Sequence, residues 1–170
     1  MDQYINKLFH ICITVPDLEE ALKFYRDVLG LQSIGSLRHE KADGKLLGLP
    51  GQEIEVHADH LCGKITDNAT VIDLVEFIKP KTIIGEGPYK QVNHVGITRI
   101  AFDVDNVDGI YERLLQRGDI EIICEPMKLN APGGGWFKAI NFRDPYGIGL
   151  ELIETHRPAG KKKYLGVNHE

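Results

Sequence analysis

Four polar residues stand at matching places in a pattern that this 170-residue chain states twice. They are His10 and Asp73 in the first statement, and Arg99 and Glu151 in the second. An imidazole, two carboxylates and a guanidinium are side chains that carry protons and charge. Whether they can act together depends on the elements that hold them.

Those elements are legible from periodicity. Residues 9–15 (FHICITV) alternate, with Phe9, Ile11, Ile13 and Val15 on one face and His10, Cys12 and Thr14 on the other, the pattern of a half-buried strand. Pro16 ends it. Asp17, with Glu20 three residues on, predicts a helix cap. Leu18, Ala21, Leu22, Tyr25 and Leu29 then recur at helical spacing until Gly30. The same order returns later. Residues 99–104 (RIAFDV) alternate, Asn106 can cap, Val107, Ile110, Tyr111 and Leu114 have helical spacing, and Gly118 follows. A shift of 89 superposes Val15 on Val104, Leu18 on Val107 and His10 on Arg99.

Further extended stretches are expected near 31–37, 53–58 and 71–77 in the first copy, and near 120–124, 135–143 and 148–153 in the second. VIDLVE aligns with GLELIE at a shift of 78, which pairs Asp73 with Glu151 and Glu76 with Glu154. The shift shrinks because the first copy carries longer loops, at 38–52 and 59–69. The expected fold class is α+β: two βαβββ pseudo-repeats forming one mostly antiparallel, cupped sheet, with the helices on its outer face. The first module spans 1–79, a Pro- and Gly-containing linker 80–95, the second module 96–155, and a polar tail with Lys161, Lys162 and Lys163 spans 156–170. If Ile72, Leu74, Leu150 and Leu152 pack under the helices, Asp73 and Glu151 face the concave side together with His10 and Arg99.

Composition narrows the function. The chain is 42% hydrophobic and 26% charged, and Lys+Arg 20 against Asp+Glu 25 gives a net charge of -5. That mild acidity disfavours nucleic acid as a partner. No apolar run reaches the roughly 20 residues that span a bilayer, and the N-terminus does not have the pattern of a signal peptide. Cys12, Cys62 and Cys124 form no C-x-x-C, so a disulfide framework is not expected, the residues are read as small buried hydrophobes, and the cytoplasm is the expected compartment.

His10 opening the first strand, the helix segment VPDLEEALKFYRDVLGL and the closing FRDPYGIGLELIE together resemble the vicinal oxygen chelate superfamily, the group of glyoxalase I, methylmalonyl-CoA epimerase, extradiol dioxygenases and bleomycin-resistance proteins. The resemblance covers roughly 7–155. In the closing segment, Asp144-Pro145-x-Gly147 predicts a tight turn.

The resemblance implies one metal ligand from the first and last strand of each module. By position these are His10, Asp73, Arg99 and Glu151. Three of the four suit a divalent ion; a guanidinium has no lone pair to give. Two outcomes stay open. In one, His10, Asp73 and Glu151 hold Mn, Fe, Ni, Co or Zn, while Arg99 neutralises a substrate oxygen and Glu151 or Asp73 moves a proton. The protein is then a lyase or isomerase acting on a small substrate with vicinal oxygens, such as an α-hydroxy- or α-keto-carbonyl compound. In the other, Arg99 pairs with the carboxylates and the cavity is a metal-free binding site of the bleomycin-resistance type. An extradiol-type dioxygenase is a further alternative, against which Arg99 counts because most such enzymes in the family use two histidines. The resemblance also implies a homodimer.

The remaining chemistry-bearing residues are given plainer roles. His94, five residues before Arg99, would need a shifted register to reach the site. His57 and His60, three apart on a strand, point to opposite faces and are read as surface polar groups. Trp136 and Phe137 follow a glycine-rich loop and could contact substrate. Glu76 and Glu154 are read as solvated.

Overall fold

The computed structural model describes residues 8–67, 69–85, 96–130 and 135–156. His94, the lysines 161–163 and most of the glycine-rich loop lie outside them. The chain divides into two compact units, Met1–Gly85 and Glu86–Glu170. Each is an α+β unit, as the repeat predicts.

The first unit runs β1 (His10–Thr14), α1 (Leu18–Tyr25), β2 (Gln32–Asp43), a short 3-10 turn (Gly44–Leu47), β3 (Glu53–Cys62) and β4 (Val71–Lys79). Its four-stranded sheet has the order β1-β4-β3-β2, with β1 parallel to β4 and the other pairs antiparallel. Asp17 caps α1 as expected, accepting the Glu20 N–H at 3.0 Å. The Glu20 side chain turns to Lys23 instead of closing a reciprocal capping box. α1 ends at Tyr25 with Arg26 at its C-cap, earlier than the stop expected at Gly30; the turns that follow close at Gly30, which takes the left-handed φ of +78 that favours glycine. Leu18, Leu22, Phe24 and Tyr25 of α1 are buried with Ile13, Leu61, Ile72 and Leu74 of the sheet. This is the apolar parity the sequence predicts. Phe9 departs from it: it precedes β1 and is 69% exposed.

The second unit runs β5 (Ile100–Asp103), α2 (Val107–Leu115), β6 (Glu121–Ile122), β7 (Met127–Asn130), β8 (Trp136–Arg143) and β9 (Gly149–His156). Its sheet has the order β5-β9-β8-β6, and β7 also pairs with β8. β5 lies parallel to β9, and β8 antiparallel to β9. Asn106 caps α2 through the Gly109 N–H at 3.0 Å. Ile140, Phe142, Leu150 and Leu152 are buried with Val107 and Leu114 of α2. The Asp144–Gly147 turn forms as read: Gly147 N–H reaches Asp144 O at 3.0 Å, and the buried Asp144 carboxylate accepts Tyr146 N–H and Ile148 N–H at 2.9 and 2.8 Å.

Two segments differ from expectation. β2 continues to Asp43, through residues expected to form a loop, because Glu40, Lys41, Ala42 and Asp43 pair with Val56, Glu55, Ile54 and Glu53 at the start of β3. The strand expected near 120–124 is shortened to β6, and a strand that was not expected, β7, follows it; both pair with β8.

A device that the sequence pattern hid joins each helix to its last strand. Glu76 Oε2 accepts the Leu18 N–H at 3.0 Å, and Glu154 Oε2 accepts the Val107 N–H at 2.9 Å. The expectation that these glutamates are solvated is thereby corrected. Each satisfies a first-turn N–H that has no partner within its helix, and each places a negative charge at the positive end of the helix dipole.

Candidate functional site

The face of the first sheet opposite α1 carries His10 and Cys12 from β1, Asp73 from β4 and His60 from β3. The register sets this. Cys12 pairs with Asp73 across β1 and β4, so His10 lies one step along the same face, and His60 pairs with Asp73 across β3 and β4. His60 Nε2 lies 3.3 Å from Asp73 Oδ1. The two are not aligned for a hydrogen bond, and Asp73 Oδ1 is buried with no hydrogen-bond partner. Burial pushes the Asp73 carboxyl up from its ordinary value, while the His60 and then the His10 imidazoles pull it the other way.

His60 is the residue that sequence reasoning passed over. The opposite-face reading of the H-x-x-H pair is correct, since His57 lies on the helix side, 3.8 Å from Glu76. What neither strand's own periodicity reveals is that the antiparallel register of β3 sets His60 against Asp73. The ring has a fitted seat. Gly35 of β2 pairs with His60 beside a register shift, and a Cβ at Gly35 would stand 3.1 Å from His60 Nδ1. Ser33 and Ser36, on either side of that irregularity, both donate to the buried Asp59 carboxylate, Ser36 Oγ at 2.6 Å. Arg38 lies 3.6 Å from the same group.

The second unit presents the corresponding face with different chemistry. Arg99 immediately precedes β5, Glu151 lies on β9, and Asn141 of β8 pairs with Glu151 as His60 pairs with Asp73. Arg99 Nε donates to Glu151 Oε2 at 2.9 Å, and Asn141 Nδ2 donates to Oε1 at 3.4 Å. Both Glu151 oxygens are engaged, one of them by a cation. Trp136 lies on the other face of β8. By register it shares parity with Ile140 and Phe142, and its ring stacks on His156 at 3.6 Å with Lys128 Nζ 4.2 Å from the ring centroid. Phe137 is the neighbour with the parity of Asn141.

The donor types of the first unit fit a divalent ion: two imidazoles and a carboxylate whose buried oxygen lacks a partner. The second unit as arranged does not, because Arg99 already neutralises Glu151. Among the described residues, no three His, Cys, Asp or Glu side chains converge as metal ligands in their present rotamers. The cysteines among them are free; Cys62 is buried, but Cys12 is exposed, unlike the buried hydrophobe expected of it.

Residues 7–152 match the model of the Glyoxalase/Bleomycin resistance protein/Dioxygenase superfamily, and the chain belongs to that superfamily. The mitochondrial methylmalonyl-CoA epimerase of Bos taurus is 26% identical over 153 residues, which cover 90% of this chain and 75% of that protein. A glyoxalase family protein from Bacillus cereus shares the fold with a TM-score of 0.71 at 23% identity, covering 90% of this chain and 96% of that one. An antibiotic binding protein from Streptomyces sp. CB03234 shares it with a TM-score of 0.56 at 19% identity, over 91% of this chain and 100% of the other. Among the described residues, no helix is long and apolar enough to cross a membrane.

Proposed function

We propose that this protein is a metal-dependent enzyme of the glyoxalase type, a lyase or isomerase that moves a proton on a small substrate with vicinal oxygens, such as an α-hydroxy- or α-keto-carbonyl compound. The observation that carries this reading is the unpartnered, buried Asp73 Oδ1 on the face it shares with His10. The likeness to an epimerase supports isomerisation as the reaction type. His10, Asp73 and Glu151 are the residues assigned to hold the ion, which when bound polarises adjacent substrate oxygens and stabilises negative charge developing on them. Arg99 neutralises a substrate carboxylate or oxyanion through its planar fork of N–H donors. Glu151 takes the proton from the carbon beside the carbonyl. In the free protein Arg99 holds Glu151, so substrate or metal has to draw the guanidinium away before that carboxylate can act. Homodimeric assembly, as the superfamily resemblance implies, and a cytoplasmic setting, consistent with free cysteines, complete the reading.

Elemental analysis tests it first. Protein reconstituted with Mn, Fe, Ni, Co and Zn in turn should retain one divalent ion per chain, and His10→Ala should lose it. A chain that stays metal-free with every ion overturns the proposal. Solvent deuterium incorporation into methylmalonyl-CoA and a panel of α-keto and α-hydroxy carbonyl compounds then tests the proton transfer.

The Arg99–Glu151 ion pair favours a second reading, a metal-free binding or sequestration protein. Here the guanidinium stands where a metal would otherwise neutralise the carboxylate. Ligand binding to metal-free protein, with no turnover of any compound in the panel, would support it.

A further inference from the structure

We infer that Asn141 is a positioning residue for Glu151: its side-chain amide holds the carboxylate in place after Arg99 has been drawn away. The inference deepens the reading above and rests on it for one point, that Glu151 takes the proton. It adds Asn141, to which that reading gives no role.

Three observations carry it. The first is that the two Glu151 oxygens are held by different means. Oε2 accepts from Arg99 Nε at 2.9 Å, and Oε1 accepts from Asn141 Nδ2 at 3.4 Å. The Arg99 side chain is 46% exposed, so its ion pair competes with water and is given up easily. A substrate oxyanion that recruits the guanidinium frees Oε2 and leaves Oε1 on Asn141.

The second is the anchorage of Asn141. β8 pairs with β9 and also with β6 and β7. Asn141 stands opposite Glu151 in the antiparallel register. Its backbone C=O accepts the Ile123 N–H at 2.9 Å and the Cys124 N–H at 3.4 Å, and its backbone N–H donates to Cys124 Sγ at 3.4 Å. A short side chain on a backbone bonded this way has little freedom to lose, whereas the long Arg99 side chain has much.

The third is the chemistry of an amide. A carboxylate only accepts, so Asn141 presents its NH2 group to Oε1. That bond fixes the direction of the carboxylate without adding a charge, which Arg99 does not do. The first unit repeats the arrangement in part: His60 of β3 stands opposite Asp73 of β4, with Nε2 3.3 Å from Oδ1 and out of hydrogen-bond alignment. A nitrogen side chain faces the last-strand carboxylate in both units, and in the second it makes the bond. Direction matters because a group that takes a proton must stand within hydrogen-bond reach of it.

Two measurements test the inference. A crystal structure of full-length Arg99→Ala reads the position of Glu151 with no substrate or metal needed. Glu151 should keep its side-chain conformation, with Oε1 on Asn141 Nδ2. A carboxylate that turns away from Asn141 in this variant overturns the inference, whatever the protein catalyses. The second measurement is solvent deuterium incorporation into methylmalonyl-CoA, or into whichever compound of the panel the wild type turns over. Asn141→Leu should lower kcat about tenfold or more and leave KM within about twofold. Asn141→His, which restores a nitrogen donor, should regain most of the loss. An unchanged kcat, a loss confined to KM, or an equal loss in Asn141→His overturns the inference and leaves Glu151 as the proposed base. If the wild type turns over nothing, the enzymatic reading fails, and the Arg99→Ala structure alone decides on Asn141. The same structure decides if Asn141→Leu does not fold.

Discussion

The two units share a fold and differ at the same three positions. Where the first has His10, His60 and Asp73, the second has Arg99, Asn141 and Glu151. In both, a carboxylate of the last strand is flanked by one residue from each neighbouring strand. In the second unit it is neutralised by a permanent cation and an amide; in the first it has only imidazoles and an unpartnered oxygen. The repeat supplies two matching platforms, and the polar differences make one of them self-satisfied and leave the other with a carboxylate oxygen that no hydrogen bond satisfies. The same contrast recurs on the helix side. Asp59, buried opposite Leu74, occupies the place that Ile140 takes opposite Leu152. The first unit holds a charged group under its helix and needs Ser33, Ser36 and Arg38 to satisfy it, whereas the second fills the position with hydrocarbon.

The largest expected effects test whether the units are equivalent as folding units. Leu74→Ala and Leu152→Ala each remove a buried side chain under a helix, at a cost of about 3 kcal/mol in urea unfolding. If each mutation broadens or splits the transition differently, the units unfold separately; one shared transition would show that they melt together. Asp59→Ala should follow at about 2 kcal/mol, since it strands two serine hydroxyls and an arginine that have adapted to the carboxylate. Loss of under 0.5 kcal/mol would mean that the Asp59 clamp does not hold β2.

Arg99→His sharpens the comparison at the site, by giving the second unit the first unit's chemistry. Removing the permanent cation from Glu151 should raise divalent-metal affinity about tenfold, read by calorimetry, provided the imidazole can share an ion with that carboxylate. Unchanged affinity would show that the second unit is not limited by Arg99.

The smallest effects lie at the helix starts, where the units are alike. Glu76→Gln and Glu154→Gln should each cost about 1 kcal/mol or less at neutral pH. The Val107 N–H, followed by His156, holds the Glu154 carboxyl below its ordinary value. A carboxyl lowered in the folded state stabilises the protein at pH above its unfolded value, and this contribution fades as pH falls through the folded value. The gap between wild type and Glu154→Gln should therefore close below about pH 4. A gap that stays constant from pH 7 to pH 3 would show that the cap contributes no charge effect.

Much of this was legible in the chain. Alternation in FHICITV and RIAFDV, the caps at Asp17 and Asn106 and the Asp144–Gly147 turn are local, because each depends on residues a few positions apart. They placed Asp73 and Glu151 opposite the buried face of their strands, and Arg99 on the strand face that Glu151 shares. The helix-capping glutamates and the length of β2 were not legible, since both are set by partners tens of residues away.

The sequence by itself determined which elements form, which faces of them are apolar and that the chain repeats, because these follow from side-chain period and turn chemistry. Only the tertiary structure decided who stands beside whom. Antiparallel register brought His60 to Asp73 and Asn141 to Glu151, and a strand irregularity opened the space at Gly35. Register is a property of two strands paired together. No single strand's alternation encodes it, so the partners of a buried carboxylate emerge only when the sheet is assembled.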